Sequence, residues 1–149
     1  MDAAGHPLID LPVIAGDADW HLSTAPVGVR GERGVIGVLV GFGGLYRAWL
    51  EHVVAGLREA AGDPERAVVV ICESRQLGEL LVPFTVPGVR IVHTVHTAHT
   101  EPPHTPNAPL NALWSRWFGV MDAFDAVLWP TQSQADAVAE RFGARDTFA

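Results

Sequence analysis

The sequence predicts an α/β protein built on parallel strands, and three observations predict it. Residues 67–72 (AVVVIC) form an unbroken apolar run rich in β-branched side chains, the pattern of a strand covered on both faces of a parallel sheet. Downstream, strand and helix periodicities alternate, the order that builds a right-handed α/β layer. Thr131 and Gln134 stand three apart at the start of a helical pattern, the spacing of a capping box.

The elements follow in order from Leu45. Leu45, Trp49, Val53, Leu57 and Ala60 recur at helical spacing, and Gly62 supplies the stop. The 67–72 strand comes next, then a short helix over 75–82 and a second strand over 89–95. A loop rich in proline and histidine covers 96–109. Residues 110–124 read as an aromatic helix in which Trp114, Trp117, Phe118 and Met121 share one spacing, the mark of a core face. A third strand spans 125–129. The last helix opens at Thr131, turns Ala135, Val138 and Phe142 inward and ends at Gly143. Residues 1–44 differ: 8–14 and 35–40 read as short strands between turn signals, a small antiparallel segment. The expected division is therefore 1–44 and 45–149.

Composition excludes several classes of function. The 149 residues suit one domain, and 48% apolar against 18% charged residues excludes disorder. No apolar stretch reaches the ~20 residues of a membrane span. The first residues carry no basic region ahead of an apolar one, so no signal peptide is expected. A net charge of −7 disfavours nucleic acid as a partner. All ten basic residues are arginine, so lysine Schiff bases and a P-loop lysine are excluded. Cys72 is the one cysteine, so no internal disulfide forms, and the expected setting is cytoplasmic.

The polar residues concentrate at strand ends. His93, His96 and His99 are spaced by three, and His104 follows. On a strand, positions three apart face opposite sides, so His93 and His96 do not chelate one ion together unless the strand ends between them. Metal is not expected; His96, His99 and His104 are the set that would hold one if their loop converged. The favoured reading places the cluster just past the C-terminal end of a buried strand, where open α/β sheets bind ligands. Neutral histidines there donate to hydroxyls or phosphate oxygens, or move protons near neutral pH. Glu73, Ser74 and Arg75 end the preceding strand at the same edge, with capping of the next helix and ligand contact both open. Thr131 and Gln134 start a helix whose positive end favours an anion at that edge. Gly41, Gly43 and Gly44 partly match a dinucleotide loop with Glu73 as ribose acceptor, but Tyr46 occupies the third glycine position; a junction before the first helix is preferred.

Three segments, ICESRQLGELL (71–81), VRIVHTVHTAHTEPP (89–103) and LWSRWFGVMDAFDAVLWPTQSQADAVAERFG (113–143), together resemble family 4 glycosyltransferases. They are most similar to the bacterial poly(glycerol-phosphate) α-glucosyltransferases. Glu73-Ser74-Arg75 matches an acidic-Ser-Arg element, His96-Thr97-Ala98-His99 a His-x-x-His element with His93–His96 as the one-step alternative, and Thr131-Gln132-Ser133-Gln134 a Thr-x-x-Gln segment. The resemblance covers about 45–143. It implies half of the N-terminal domain of a GT-B fold, a partial Rossmann-like parallel sheet, with 1–44 as the tail of an antiparallel insert. It implies retaining transfer of a hexose from a nucleotide sugar to a hydroxyl acceptor, a polyol phosphate or glycan, with no metal and no cofactor beyond the donor itself. By it His96 and His99 are the catalytic candidates, and Glu73, Ser74, Arg75, His93, Thr131 and Gln134 contact substrate. The donor-binding domain would then lie outside this chain, leaving the chain inactive alone and prone to self-association. The other readings are a non-catalytic α/β interaction module and a Rossmann-type nucleotide-binding protein.

Overall fold

The computed structural model describes residues 8–9, 26–31, 34–82 and 84–148. Two sheets are present among them. β1 (Leu8–Ile9), β2 (Pro26–Gly31) and β3 (Gly34–Val40) pair antiparallel in that order, with Val27 opposite Leu39 and an irregularity at Val29/Arg30. The 8–14 strand expected from sequence lies outside the described residues beyond Ile9, and β2 was not anticipated.

β3 runs directly into α1 (Gly41–Ala61), with Gly41 at φ 62° and Gly62 at φ 64° marking its two ends. Gly43 and Gly44 therefore belong to the first turn of a helix. The strand before them pairs in the antiparallel sheet, not the parallel one, so the setting that a dinucleotide loop requires does not occur here. Leu45, Leu50 and Val54 form the buried stripe of α1. Trp49 and Leu57, expected inside, are each 51% exposed, because the helix turns its 45/50/54 face to α2 and the core. Arg47 ties the two helices by donating to the Leu80 carbonyl at 2.7 Å.

The parallel sheet has the order β4 (Val68–Cys72), β5 (Val89–Thr94), β6 (Ala126–Leu128). Its register pairs Ile71 with Val92, Cys72 with His93, and His93 with Val127. α2 (Arg75–Leu81) follows β4, α3 (Ala112–Phe118) and a 3₁₀ turn (Met121–Ala123) precede β6, and α4 (Gln132–Phe142) follows it. The molecule is thus α/β, with a three-stranded parallel sheet of partial Rossmann-like type. The expected 110–124 helix is split after Phe118, where Gly119 donates to the Arg116 carbonyl in a tightened turn.

One expectation fails in a revealing way. β4 is not covered on both faces: Val69 and Ile71 are 62% and 63% exposed, whereas Cys72 is buried. Consecutive strands laid side by side through right-handed crossovers keep their helices on one face. Among the described residues, the opposite face of the sheet is open. Residues 147–148 run along the far side of β6, where Val127 donates to the Thr147 carbonyl at 2.7 Å.

The covered face is aromatic. Trp114, Trp117, Phe118 and Met121 are all buried, as their spacing predicts. Trp117 stacks on Phe124, with centroids 5.5 Å apart at 20°, and Phe118 stacks on Phe142 of α4 at 4.4 Å. α2 approaches so closely that a Cβ on Gly78 would lie 2.9 Å from His93 Nδ1 and 3.2 Å from Phe124. In an open helix, alanine would beat glycine by about 1 kcal/mol. Here Gly78→Ala is expected to destabilise by about 1–3 kcal/mol through overpacking. Urea denaturation checks this, and a gain in stability would refute the packing.

Candidate functional site

The C-terminal ends of β4, β5 and β6 form one rim, and the residues expected there divide into those that face solvent and those that do not. Glu73 and His96 face solvent. Glu73 Oε1 lies 3.8 Å from His96 Nε2, with the side chains 71% and 53% exposed. That distance is too long for a hydrogen bond but short enough for one water to bridge. Parallel pairing sets this arrangement: Cys72 lies beside His93, so the residues that follow each strand emerge side by side.

Ser74 and Arg75 are held inward. Ser74 caps α2, its hydroxyl accepting from Leu77 N at 3.3 Å. Arg75 pairs with Glu79 one turn on, and Arg116 Nε stands 3.5 Å from the other Glu79 oxygen. Only 10% of the Arg75 side chain and 6% of that of Glu79 are exposed. Arg75, expected to contact substrate, instead pairs within α2 with Glu79, the residue that meets Arg116 of α3. The i, i+4 spacing of Arg75 and Glu79 was the available signal.

His93 was also expected at the cleft, and the structure corrects this. It is fully buried, with neither ring nitrogen hydrogen-bonded. Trp117 lies 4.9 Å away, Phe124 5.2 Å and Trp114 6.4 Å between ring centroids. Burial, with help from the His96 and Arg75 charges, pushes its pKa down to about 4. His93 is a neutral core residue, not a ligand contact.

His99 and Gln134 meet at a second place on the rim. Thr131 caps α4 by accepting from Gln134 N at 3.2 Å, as the sequence implies. The reciprocal half of the capping box is replaced. Gln134 Nε2 instead donates to the Thr97 carbonyl at 3.1 Å and stands 3.3 Å from His99 Nδ1, tying α4 to the loop after β5. His99 is 5% exposed, and burial, then the Arg141 charge, lowers its pKa. His104, at φ 61°, donates from Nδ1 to the Thr100 carbonyl at 2.6 Å. At the strand ends, then, Glu73 stands beside His96, and Gln134 of α4 reaches Thr97 and His99, while Ser74, Arg75 and His93 make their contacts within the fold.

Asp125 locks the entrance to the sheet. Burial raises its pKa, but the Ile91 N–H at 2.8 Å and Arg90 at 2.7 Å outweigh that and hold it below the usual value. Among the described residues, no group of three or more His, Cys, Asp or Glu side chains is placed to hold a metal. None of the described helices is long and apolar enough to cross a membrane.

Fold and rim together define an α/β protein whose parallel sheet presents a histidine–carboxylate pair and a helix N-terminus at one edge. No family model matches the chain, and no curated protein or solved structure matches it.

Proposed function

We propose that this rim is the acceptor-side wall of a sugar-transfer cleft, in which a hexose passes from a nucleotide sugar to a hydroxyl acceptor. The observation that carries the reading is the Glu73–His96 pair, exposed and 3.8 Å apart at the edge where open α/β sheets take ligands. An imidazole beside a carboxylate is suited to accept a hydrogen bond from a hydroxyl and to relay its proton. In this reading His96 orients the acceptor or the transferring sugar, Glu73 supports it, and His99 shapes the floor through Gln134. The ordered resemblance over 45–143 supports the same reading. A second domain would hold the donor pyrophosphate, whose departing charge requires positive groups.

The test is hexose transfer by the enzyme that contains this chain, assayed over a panel of nucleotide sugars and polyol acceptors. His96→Ala is expected to lower kcat/KM by roughly a hundredfold, within the range for loss of an acid–base group. Glu73→Gln is expected to lower it less. Transfer unchanged in His96→Ala would overturn the assignment, as would the absence of transfer with every donor.

A further inference from the structure

We propose that the outer face of α1 pairs with the same face of a second copy of this chain, the two helices running antiparallel about a two-fold axis. Trp49, Val53, Gly56 and Ala60 recur at spacings of four, three and four, with Leu57 beside them, so they line one stripe of the helix over about three turns. The fold leaves that stripe open. Trp49 and Leu57 are each 51% exposed, Gly56 and Ala60 are exposed, and Val53 is half-buried. None of the five carries a charge, although the chain as a whole carries −7.

Gly56 indicates what kind of surface belongs there. Glycine weakens a helix interior relative to alanine. Backbone conformation does not call for it, because Gly56 is not among the glycines at positive φ. Packing within the chain does not call for it either, since a Cβ built on Gly56 meets nothing within 4 Å. Gly78 is the opposite case, its Cβ position closed off by His93 and Phe124. The notch at Gly56 therefore serves nothing in its own chain, but it can seat a side chain from a second helix.

The stripe is complementary to itself. In the antiparallel arrangement Trp49 faces Ala60 of the second copy and Val53 faces Gly56 of the second copy. Each large side chain meets a small one, and the two-fold axis repeats both matches. A parallel pair sets Trp49 against its own equivalent and Gly56 against its own, overfilling one layer and emptying another. The polar flank selects the same arrangement. His52 and Glu59 are both exposed along one side of the stripe. Antiparallel pairing brings His52 of each copy beside Glu59 of the other, where an imidazole N–H donates to a carboxylate whether or not the ring is charged. In a parallel pair His52 falls beside Leu57 instead.

Two helices touching over about three turns bury less than a standard interface, so the dimer is weak and forms with rising concentration. The inference does not rest on the sugar-transfer reading, because it uses none of the residues at the strand ends.

The experiment is sedimentation velocity of the chain from micromolar to near-millimolar concentration, where reversible dimerisation is expected. Gly56→Glu adds a side chain where a single copy has open space, so thermal melting is preserved. Its carboxylate falls against Val53 of the second copy, and dimerisation weakens by about tenfold or more. His52→Glu sets like charges together and weakens it by about fivefold, and adding Glu59→Arg restores it. Val69→Glu, on the open face of the parallel sheet, is expected to leave the dimer unchanged. A chain that stays monomeric at every concentration overturns the proposal. So does a dimer that survives Gly56→Glu, or one that Val69→Glu breaks instead. Failure of Glu59→Arg to restore the His52→Glu dimer overturns the antiparallel pairing. None of these outcomes bears on the His96 transfer assay, so the two readings fail separately.

Discussion

Replacing Trp117 with alanine is expected to cost about 3–5 kcal/mol, the range for emptying a large aromatic from a closed core. Trp117 has no exposed surface. Its ring meets His93, Trp114, Phe118, Phe124 and Trp129 at centroid distances from 4.9 to 6.2 Å. It therefore joins the central strand to α3 and to the residue after β6. Against a total stability of about 5–15 kcal/mol, such a loss removes a large fraction of what holds the fold. Trp117→Phe is the control. The indole N–H has no hydrogen-bond partner, so phenylalanine removes an unpaired donor while keeping most of the apolar contact. Its expected cost is below about 1.5 kcal/mol. Urea midpoints at unchanged slope measure both, and equal losses for the two variants would refute the packing described.

The second large effect concerns acid. His93 has an ordinary pKa of 6.5 when unfolded and about 4 when folded. A base whose folded pKa is lowered is neutral in the folded chain while the unfolded chain takes up a proton. Its contribution is complete above 6.5, fades as pH falls through that value, and is gone below about 4. The difference amounts to roughly 3 kcal/mol. His99 shifts in the same direction and adds to the slope. Asp125, held low by Ile91 N and Arg90, also makes the fold acid-sensitive, but only below the ordinary carboxylate value of 3.8, so the two windows separate.

His93→Leu is expected to remove most of the stability lost between about pH 7 and pH 4.5 while changing stability at neutral pH by less than about 1.5 kcal/mol. At neutral pH the loss of aromatic contacts is offset by removal of two unpaired ring nitrogens. Denaturation curves at both pH values measure this. A variant as acid-sensitive as the wild type would show that the titrating group lies elsewhere.

Much of this is written locally. The three parallel strands, the aromatic spacing from Trp114 to Met121, the Thr131 cap and the Gly143 stop follow from neighbours within one turn or one strand. The sequence by itself therefore determined the three parallel strands, their order, the helices between and after them to within their ends, and that Glu73, His96 and Thr131 follow strand ends, but not β2 or the break after Phe118.

Tertiary structure decided the rest, because it depends on residues far apart in the chain. The 67–72 run is equally compatible with cover on one face or two, and the sheet order β4-β5-β6 leaves Val69 and Ile71 exposed. Either face of α1 offered apolar residues, and contact with α2 chose Leu50 and Val54 over Trp49 and Leu57. Gln134 serves Thr97 and His99 rather than its own helix cap because the loop after β5 arrives beside α4, 37 residues away for Thr97. Local patterning sets what a segment becomes. Only packing sets which of its faces meets a partner, since that energy arises from groups the segment does not contain.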